Sequence, residues 1–333
     1  MSADVRLSLL DRSRTRSGYP EAAALQHSVA RAQWAESLGY HRFWGAEHHA
    51  VPGIASGAPA VLLAAVGAQT NRIRLGSGGV MLPHHQPLVV AEQFLMLQAL
   101  YPARIDLGLG RTLGFTEPVR RALRQESDDV ENFTNDVEEL RDYLQRNAAV
   151  TARPAAEQPL PIFLLATGRG ISTAARLGLP VVIGGPILRS DDLPHMLQSY
   201  RREFQPSPAA PESAVAKPEV LISADVYIAD TTEEAHQLAL PEAWAMARSR
   251  ETGEFGPLEP VEDIRAQRWS RRTEERIQQS LEQAIAGDEH QVANRLDELF
   301  TRTGASELLV STSTYDRQAL RELDTRMAGL AAG

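Results

Sequence analysis

The sequence predicts a closed (β/α)8 barrel: residues 1–333 form a single domain, with an insertion at about 250–287 before the last strand. Three observations carry this. Short apolar runs of strand length recur eight times, each followed by a segment of helical period. Side chains able to do chemistry fall where those strands end, which is where a barrel gathers its site. Residues 72–111 read as strand, turn, helix, strand, one complete β-α-β unit. Strict alternation disfavours the alternative, an open doubly wound sheet.

In order, 5–10 alternates as a strand. Helix 21–38 follows, with Ala24, Leu25, Val29, Ala32 and Ala35 near helical spacing and Gly39 placed to end it. A short strand at 43–46 runs into Glu47-His48-His49, and the helix predicted at 59–69 is apolar almost throughout. The third strand ends in Gly76-Ser77-Gly78-Gly79. Pro87 opens a helix to residue 99, since proline is tolerated where an N–H has no helical partner. In the fourth strand Ile105, Leu107 and Leu109 alternate with Arg104, Asp106, Gly108 and Gly110. The pattern loosens over 116–129, and an acidic helix is expected at 129–146. Strand five, 159–166, leads through Thr167-Gly168-Arg169-Gly170 into a helix, and strand six is 181–183. The proline-rich stretch around 205–218 reads as a linker or long surface loop on the bottom of the barrel. Strand seven, 220–228, precedes helices over 232–250 that Pro241 is expected to interrupt. An irregular charged segment to about 287 should then cover the top as a lid. A helix at 290–302, strand eight at 307–311 and a helix at 316–327 close the chain.

The composition is that of a globular protein, 43% hydrophobic and 23% charged. There is no cysteine, which excludes disulfides and thiolate chemistry. A net charge of -9 argues against nucleic-acid binding, which needs clustered cations. No apolar run reaches the ~18 residues of a membrane span, and the N-terminus lacks a signal-peptide core, so a cytoplasmic location is expected.

His48, the Gly78-Gly79 pair, Arg111 and the 167–170 turn all fall at strand ends. Gly76, Gly78, Gly108 and Gly110 should point inward on neighbouring strands and leave a flat pocket. The 167–170 turn offers backbone N–H groups and a cation at a helix start, a geometry suited to phosphate, with Arg111 facing it. Arg6, Arg74, Arg104 and Asp106 lie near strand starts and read as an ion-pair network at the barrel bottom. GLGRTLG at 108–114 is not a dinucleotide fingerprint, because its last gap is three residues. Glu47, His48, His49, His84 and His85 supply enough ligands for a metal hydrolase to be weighed. Adjacent histidines on a strand point to opposite sides, however, and strand one offers no histidine pair. No metal is assigned.

FWGAEHH at 43–49, LGSGGVMLPHHQPLVVAEQF at 75–94, ARIDLGLGRT at 103–112, FLLATGRGISTAARLGLPVVIGG at 163–185 and ELLVSTSTYD at 307–316 together resemble the flavin-dependent luciferase-like monooxygenases. The resemblance implies a barrel that binds FMN in its reduced form, supplied by a separate NAD(P)H:flavin reductase. Reaction with O2 then gives a C4a-hydroperoxide that oxygenates a small organic substrate. It implies His48 as the catalytic residue, and Ser77, Gly78 and Gly79 under the flavin ring with a non-prolyl cis peptide between the two glycines. Arg111, Thr167, Gly168, Arg169 and Gly170 would hold the flavin phosphate. Thr167 and Gly168 replace the acid and serine of the luciferase turn, so backbone contacts are the expectation there. A homodimer through the helices at 59–69 and 87–99 is also implied. A deazaflavin-dependent hydride-transfer enzyme and a non-catalytic flavin-binding paralogue are the competing readings, and the substrate is not identified.

Overall fold

The protein is described from a computed structural model covering residues 5–332, except 115, 125–129, 156 and 207–216. The barrel consists of β1 (Arg6–Asp11), β2 (Arg42–Gly45), β3 (Arg74–Ser77) continued by β4 (Val80–Met81), β5 (Ile105–Gly110), β6 (Ile162–Leu165), β7 (Val181–Gly184), β8 (Val220–Ala224) and β11 (Glu307–Val310). All neighbours pair in parallel, and the ring closes between Leu75 and Ile105. With β3 and β4 counted as one stave, this is the eight-stave barrel that the sequence predicts. Between them the Gly78–Gly79 peptide is cis.

The surrounding helices are α1 (Ala22–Ser37), α2 (Pro59–Gly67), α3 (Pro87–Leu100), α4 (Glu117–Ala122), α5 (Val130–Gln145), α6 (Arg169–Leu177), α7 (Leu193–Glu203), α8 (Thr232–Thr252), α9 (Val261–Ala266), α10 (Arg271–Gln283), α11 (Glu289–Thr303) and α12 (Arg317–Ala332). Outward-facing strand residues such as Leu9, Phe43, Leu75 and Leu107 are wholly buried against the helix layer. No described helix is long and apolar enough to cross a membrane.

Period-two alternation also sorts the barrel interior into levels. At the bottom, Asp106 and Glu307 are fully buried, and Arg42 bridges them at 2.6 and 2.8 Å. Arg74 also reaches Asp106, while Arg6 pairs with Glu307 and Glu219. The expected network is therefore present, with Arg42, Glu307 and Glu219 added. Arg104 is outside it, because its guanidinium is taken up by the Ile73 and Thr70 carbonyls and the Thr70 hydroxyl. Above the charges lies an apolar plug of Leu10, Trp44, Phe163, Val182, Leu221 and Leu309. Trp44 and Phe163 meet edge to face, with centroids 5.1 Å apart.

Four other expectations are corrected. The predicted strand 220–228 breaks at Asp225: β8 stays in the barrel, while β9 (Val226–Ile228) pairs with β10 (Ile285–Gly287) as a separate parallel ribbon. The segment predicted as irregular carries α9, α10 and β10, which pack into order through Ile264 and Ile277 against Leu240, Ala243 and Trp244 of α8. Pro241 does not interrupt α8. A mid-helix proline costs ~3 kcal/mol, here offset by that buried packing and by a capping box at Thr231 and Glu234. The loosened pattern after residue 115 contains α4. Most of the proline-rich stretch, 207–216, lies outside the described residues.

Replacing Asp106 with Ala should leave Arg42 and Arg74 in the barrel floor without their shared carboxylate. Loss of one member of a buried ionic group costs about 3–5 kcal/mol. Urea unfolding that showed a change below ~1 kcal/mol would contradict the network's structural role.

Candidate functional site

At the top of the barrel two chambers meet. The larger, of about 1000 Å³, opens above the apolar plug and is lined by Leu10, Arg12, Ala46, His48 and Gly78 among others, with α8 and α10 opposite. The smaller, of about 490 Å³, lies over the ends of β5 and β6 and is lined by Arg111, Arg120, Thr167, Gly170 and Thr173. Leu165, Ala166, Thr167 and Thr112 line both. The expected lid is in place, because Leu281 and Ala284 at the end of α10 and Ile285 of β10 wall the larger chamber.

His48 continues the inward alternation of Arg42, Trp44 and Ala46, which is why it reaches the larger chamber. An isolated imidazole titrates near 6.5. Burial first, then the adjacent Arg12 and Arg14 cations, push His48 down to about 4. At neutral pH it is therefore an uncharged imidazole, able to accept a proton. The cations are held in a cluster of their own. Arg12 and Arg14 contact the two oxygens of Glu242 at 2.9 and 3.0 Å, and Arg12 also reaches Asp225 and the Ser311 carbonyl.

His49 turns to the other side, as alternation requires. His49 Nε2 lies 2.6 Å and His85 Nε2 2.7 Å from Glu47 Oε1, while Glu47 Oε2 accepts the Met81 N–H at 3.0 Å. Burial opposes ionisation of Glu47, but the His49 and His85 hydrogen bonds prevail and hold its pKa at about 2. These three residues are the ones among those described that could converge on a metal ion. Their separations are hydrogen-bond lengths. Two ligands of one tetrahedral ion, with bonds of ~2.0 Å, stand about 3.3 Å apart. The trio is better described as a clamp that fixes β4 directly after the Gly78–Gly79 peptide. His84 stacks edge-on against His49, with centroids 6.1 Å apart, and does not line the His48 chamber.

The glycines divide into two kinds. A Cβ at Gly76 would stand 2.4 Å from Trp44 Nε1, and one at Gly108 would stand 2.1 Å from the Ser77 carbonyl oxygen, so these two make room for protein. Gly78 borders the chamber, although a Cβ there would press on Leu10 at 2.9 Å, and a Cβ on Gly110 would meet only the Val80 carbonyl at 3.8 Å. Of the four glycines expected to form a flat pocket, only Gly78 lines the chamber. Ser77 is fully buried and lines neither chamber; its hydroxyl donates to the Gly108 carbonyl at 2.7 Å and accepts the Gly108 N–H at 3.0 Å, so its side chain serves the barrel wall.

At the start of α6 the Gly170 and Ile171 amides donate to Thr167 and Gly168, leaving the Gly168 and Arg169 amides without a protein acceptor among the described residues. Gly168 has φ of 51°, a left-handed conformation that glycine adopts freely. Arg111, Thr167 and Gly170 are brought together in the smaller chamber, whereas the exposed Arg169 side chain lines neither chamber. Arg120, which the sequence reading missed, supplies a second cation from α4. Two bordering cations, a helix start and a connected cavity large enough for a flavin fit a phosphorylated flavin.

The family described as luciferase-like monooxygenase matches residues 5–307. The chain belongs to that family. A luciferase-like monooxygenase of Escherichia coli strain K12 is 38% identical over 322 residues, 95% of this chain and 93% of the relative. The N-acetyl-S-alkylcysteine monooxygenase of Bacillus subtilis strain 168 is 41% identical over 243 residues, 70% of each chain. Among solved structures, apo-MsnO8 superposes with a TM-score of 0.86 at 31% identity, covering 98% of both chains. The protein is accordingly an oxidoreductase.

The Glu47 clamp makes an acid-stability prediction. With a folded pKa of about 2 against 4.5 unfolded, its contribution is complete above 4.5 and is lost as pH falls towards 2, about 3 kcal/mol in all. Glu47→Gln should lower stability at pH 7 and show a shallower further loss between pH 4.5 and 2. Parallel stability curves for the two proteins in denaturant titrations would contradict this.

Proposed function

We propose that the chain is an FMN-dependent monooxygenase of the two-component kind, receiving reduced flavin from a separate NAD(P)H:flavin reductase in the cytoplasm and using O2 to oxygenate a small organic substrate. The observation that carries this reading is the junction at Leu165–Thr167, where a chamber holding His48 and Gly78 meets one bordered by Arg111, Arg120 and the start of α6. The name of the B. subtilis relative makes N-acetylated S-alkylcysteines the first substrates to assay.

In this reading the free amides of Gly168 and Arg169, with Arg111 and Arg120, hold the flavin phosphate. The Gly78–Gly79 backbone forms a shelf for the ring, with no side chain to displace it. When bound and reduced, the flavin supplies the electrons that activate O2. Met246, Leu281 and Ile285 present apolar surface to the larger chamber and keep bulk water from the reacting atoms. A ring nitrogen of His48, uncharged at neutral pH, accepts a proton during turnover. Burial, with Arg12 and Arg14 alongside, keeps it in that form.

The family resemblance also implies a homodimer, and α2 and α3 carry suitable surface. Val61 is 72% exposed, Leu100 60%, Met96 56% and Val89 47%, an apolar patch on two packed helices that a second copy would cover.

Four outcomes test this reading. Arg111→Ala and Arg120→Ala should weaken FMN much more than riboflavin in equilibrium dialysis, and equal losses would remove both from the phosphate site. His48→Ala should still bind reduced FMN and lose product formation by ~100-fold or more. In the unaltered enzyme no His48-dependent inflection should occur near pH 6.5, because that group titrates near 4. Sedimentation velocity should find a dimer that Met96→Glu with Leu100→Glu splits into monomers.

A further inference from the structure

The acids and bases of the larger chamber do not balance along its wall. Deep in it, Asp225 and Glu242 are answered by Arg12 and Arg14. At its mouth stand Arg189, Arg295 and Arg302. Each is tied to neutral acceptors. Arg189 donates to the Gln283 side-chain oxygen at 2.7 Å, Arg295 to the Ala284 carbonyl at 2.7 Å, and Arg302 to the Ser190 carbonyl. The acceptors are the consecutive Gln283 and Ala284 together with Ser190, which follows Arg189 directly, so the three guanidinium groups are pinned to one side of the opening. None forms an ion pair among the described residues. Glu298 is the acid that shares this wall, three residues after Arg295 and four before Arg302, and it pairs with neither. Three cations against one carboxylate leave the rim positive on a protein whose overall charge is -9.

A guanidinium that spends one or two of its five N–H groups on carbonyls keeps both its charge and its remaining donors for a ligand. The anchoring bonds come from the lid residues Gln283 and Ala284 and from the loop after β7, so the rim is held in position before a ligand arrives. The flavin phosphate has its own cations in the other chamber.

We propose that this rim is a carboxylate-binding subsite, and that the substrate is a carboxylic acid whose acid group is held by Arg189, Arg295 and Arg302 while its other end extends inward towards His48 and Gly78. This rests on reading the larger chamber as the substrate chamber, and it adds where the acid is held and by which residues.

The test uses the full chain with FMN and two probes, N-acetyl-S-benzylcysteine and its neutral carboxamide, with binding followed by calorimetry and oxygenation with reduced FMN assayed separately. The acid is expected to bind at least about tenfold more tightly than the amide, the scale of a charge-assisted contact. That preference should disappear in the Arg295→Gln, Arg302→Gln double variant and be largely retained in Arg302→Lys, which keeps the charge. Circular dichroism would verify that the variants fold. Equal binding of acid and amide, absence of acid binding, or an acid preference untouched by the double variant would each overturn the proposal. If the acid binds as expected and no probe is oxygenated, the rim stands and the monooxygenase reading falls. Oxygenation without any preference for the acid gives the reverse result.

Discussion

The interior of this barrel depends on one fit, the Trp44 indole in the space left by Gly76. Any side chain at 76 would overlap the ring, and Asp106 lies 3.4 Å from its Nε1. The indole therefore closes off the buried charges below and, with Phe163 packed edge to face with it, provides a floor for everything above. Without that floor, the carboxylates of Asp106 and Glu307 would share a continuous space with the chamber, and water entering it would weaken their pairing with Arg42.

Charge is used differently at the two ends. Below the plug, arginines and carboxylates meet each other and hold neighbouring strands together. Above it, the same residue types also set the state of a third group, His48. An arginine cannot give up its proton in a protein, so when Arg12 and Arg14 crowd an imidazole that burial already disfavours charging, it is the imidazole that stays neutral. Glu242 holds both arginines in place from a helix, which ties the protonation of a barrel residue to the seating of α8.

The barrel was legible because a strand buried on both sides still alternates, and because glycine, proline and histidine mark strand ends. The same period placed His48 and His49 on opposite sides. It would also have found Arg12, which continues Arg6, Ser8 and Leu10 by steps of two. Glu242 carried no such signal, since its helix is buried on the relevant face and a sequence cannot say which residue of α8 meets the segment after β1. Arg120 was hidden by weak patterning around α4. The glycines misled in part: absence of a side chain reads the same whether the room serves Trp44, as at Gly76, or the residue also borders a cavity, as at Gly78. The lowered pKa of His48 has no sequence signal, because burial and neighbouring cations belong to the folded chain alone.

The parting of β8 and β9 at Asp225 bears on how such an enzyme could change its substrate over generations. Val226, Tyr227 and Ile228 pair in register with Ile285, Ala286 and Gly287, so the lid is fastened to the barrel by main chain. Peptide groups are the same whatever the side chains, and the residues between the two ribbon strands can be exchanged, lengthened or shortened while the attachment survives. Diversification is thereby confined to a module that touches the substrate and spares the staves beneath it.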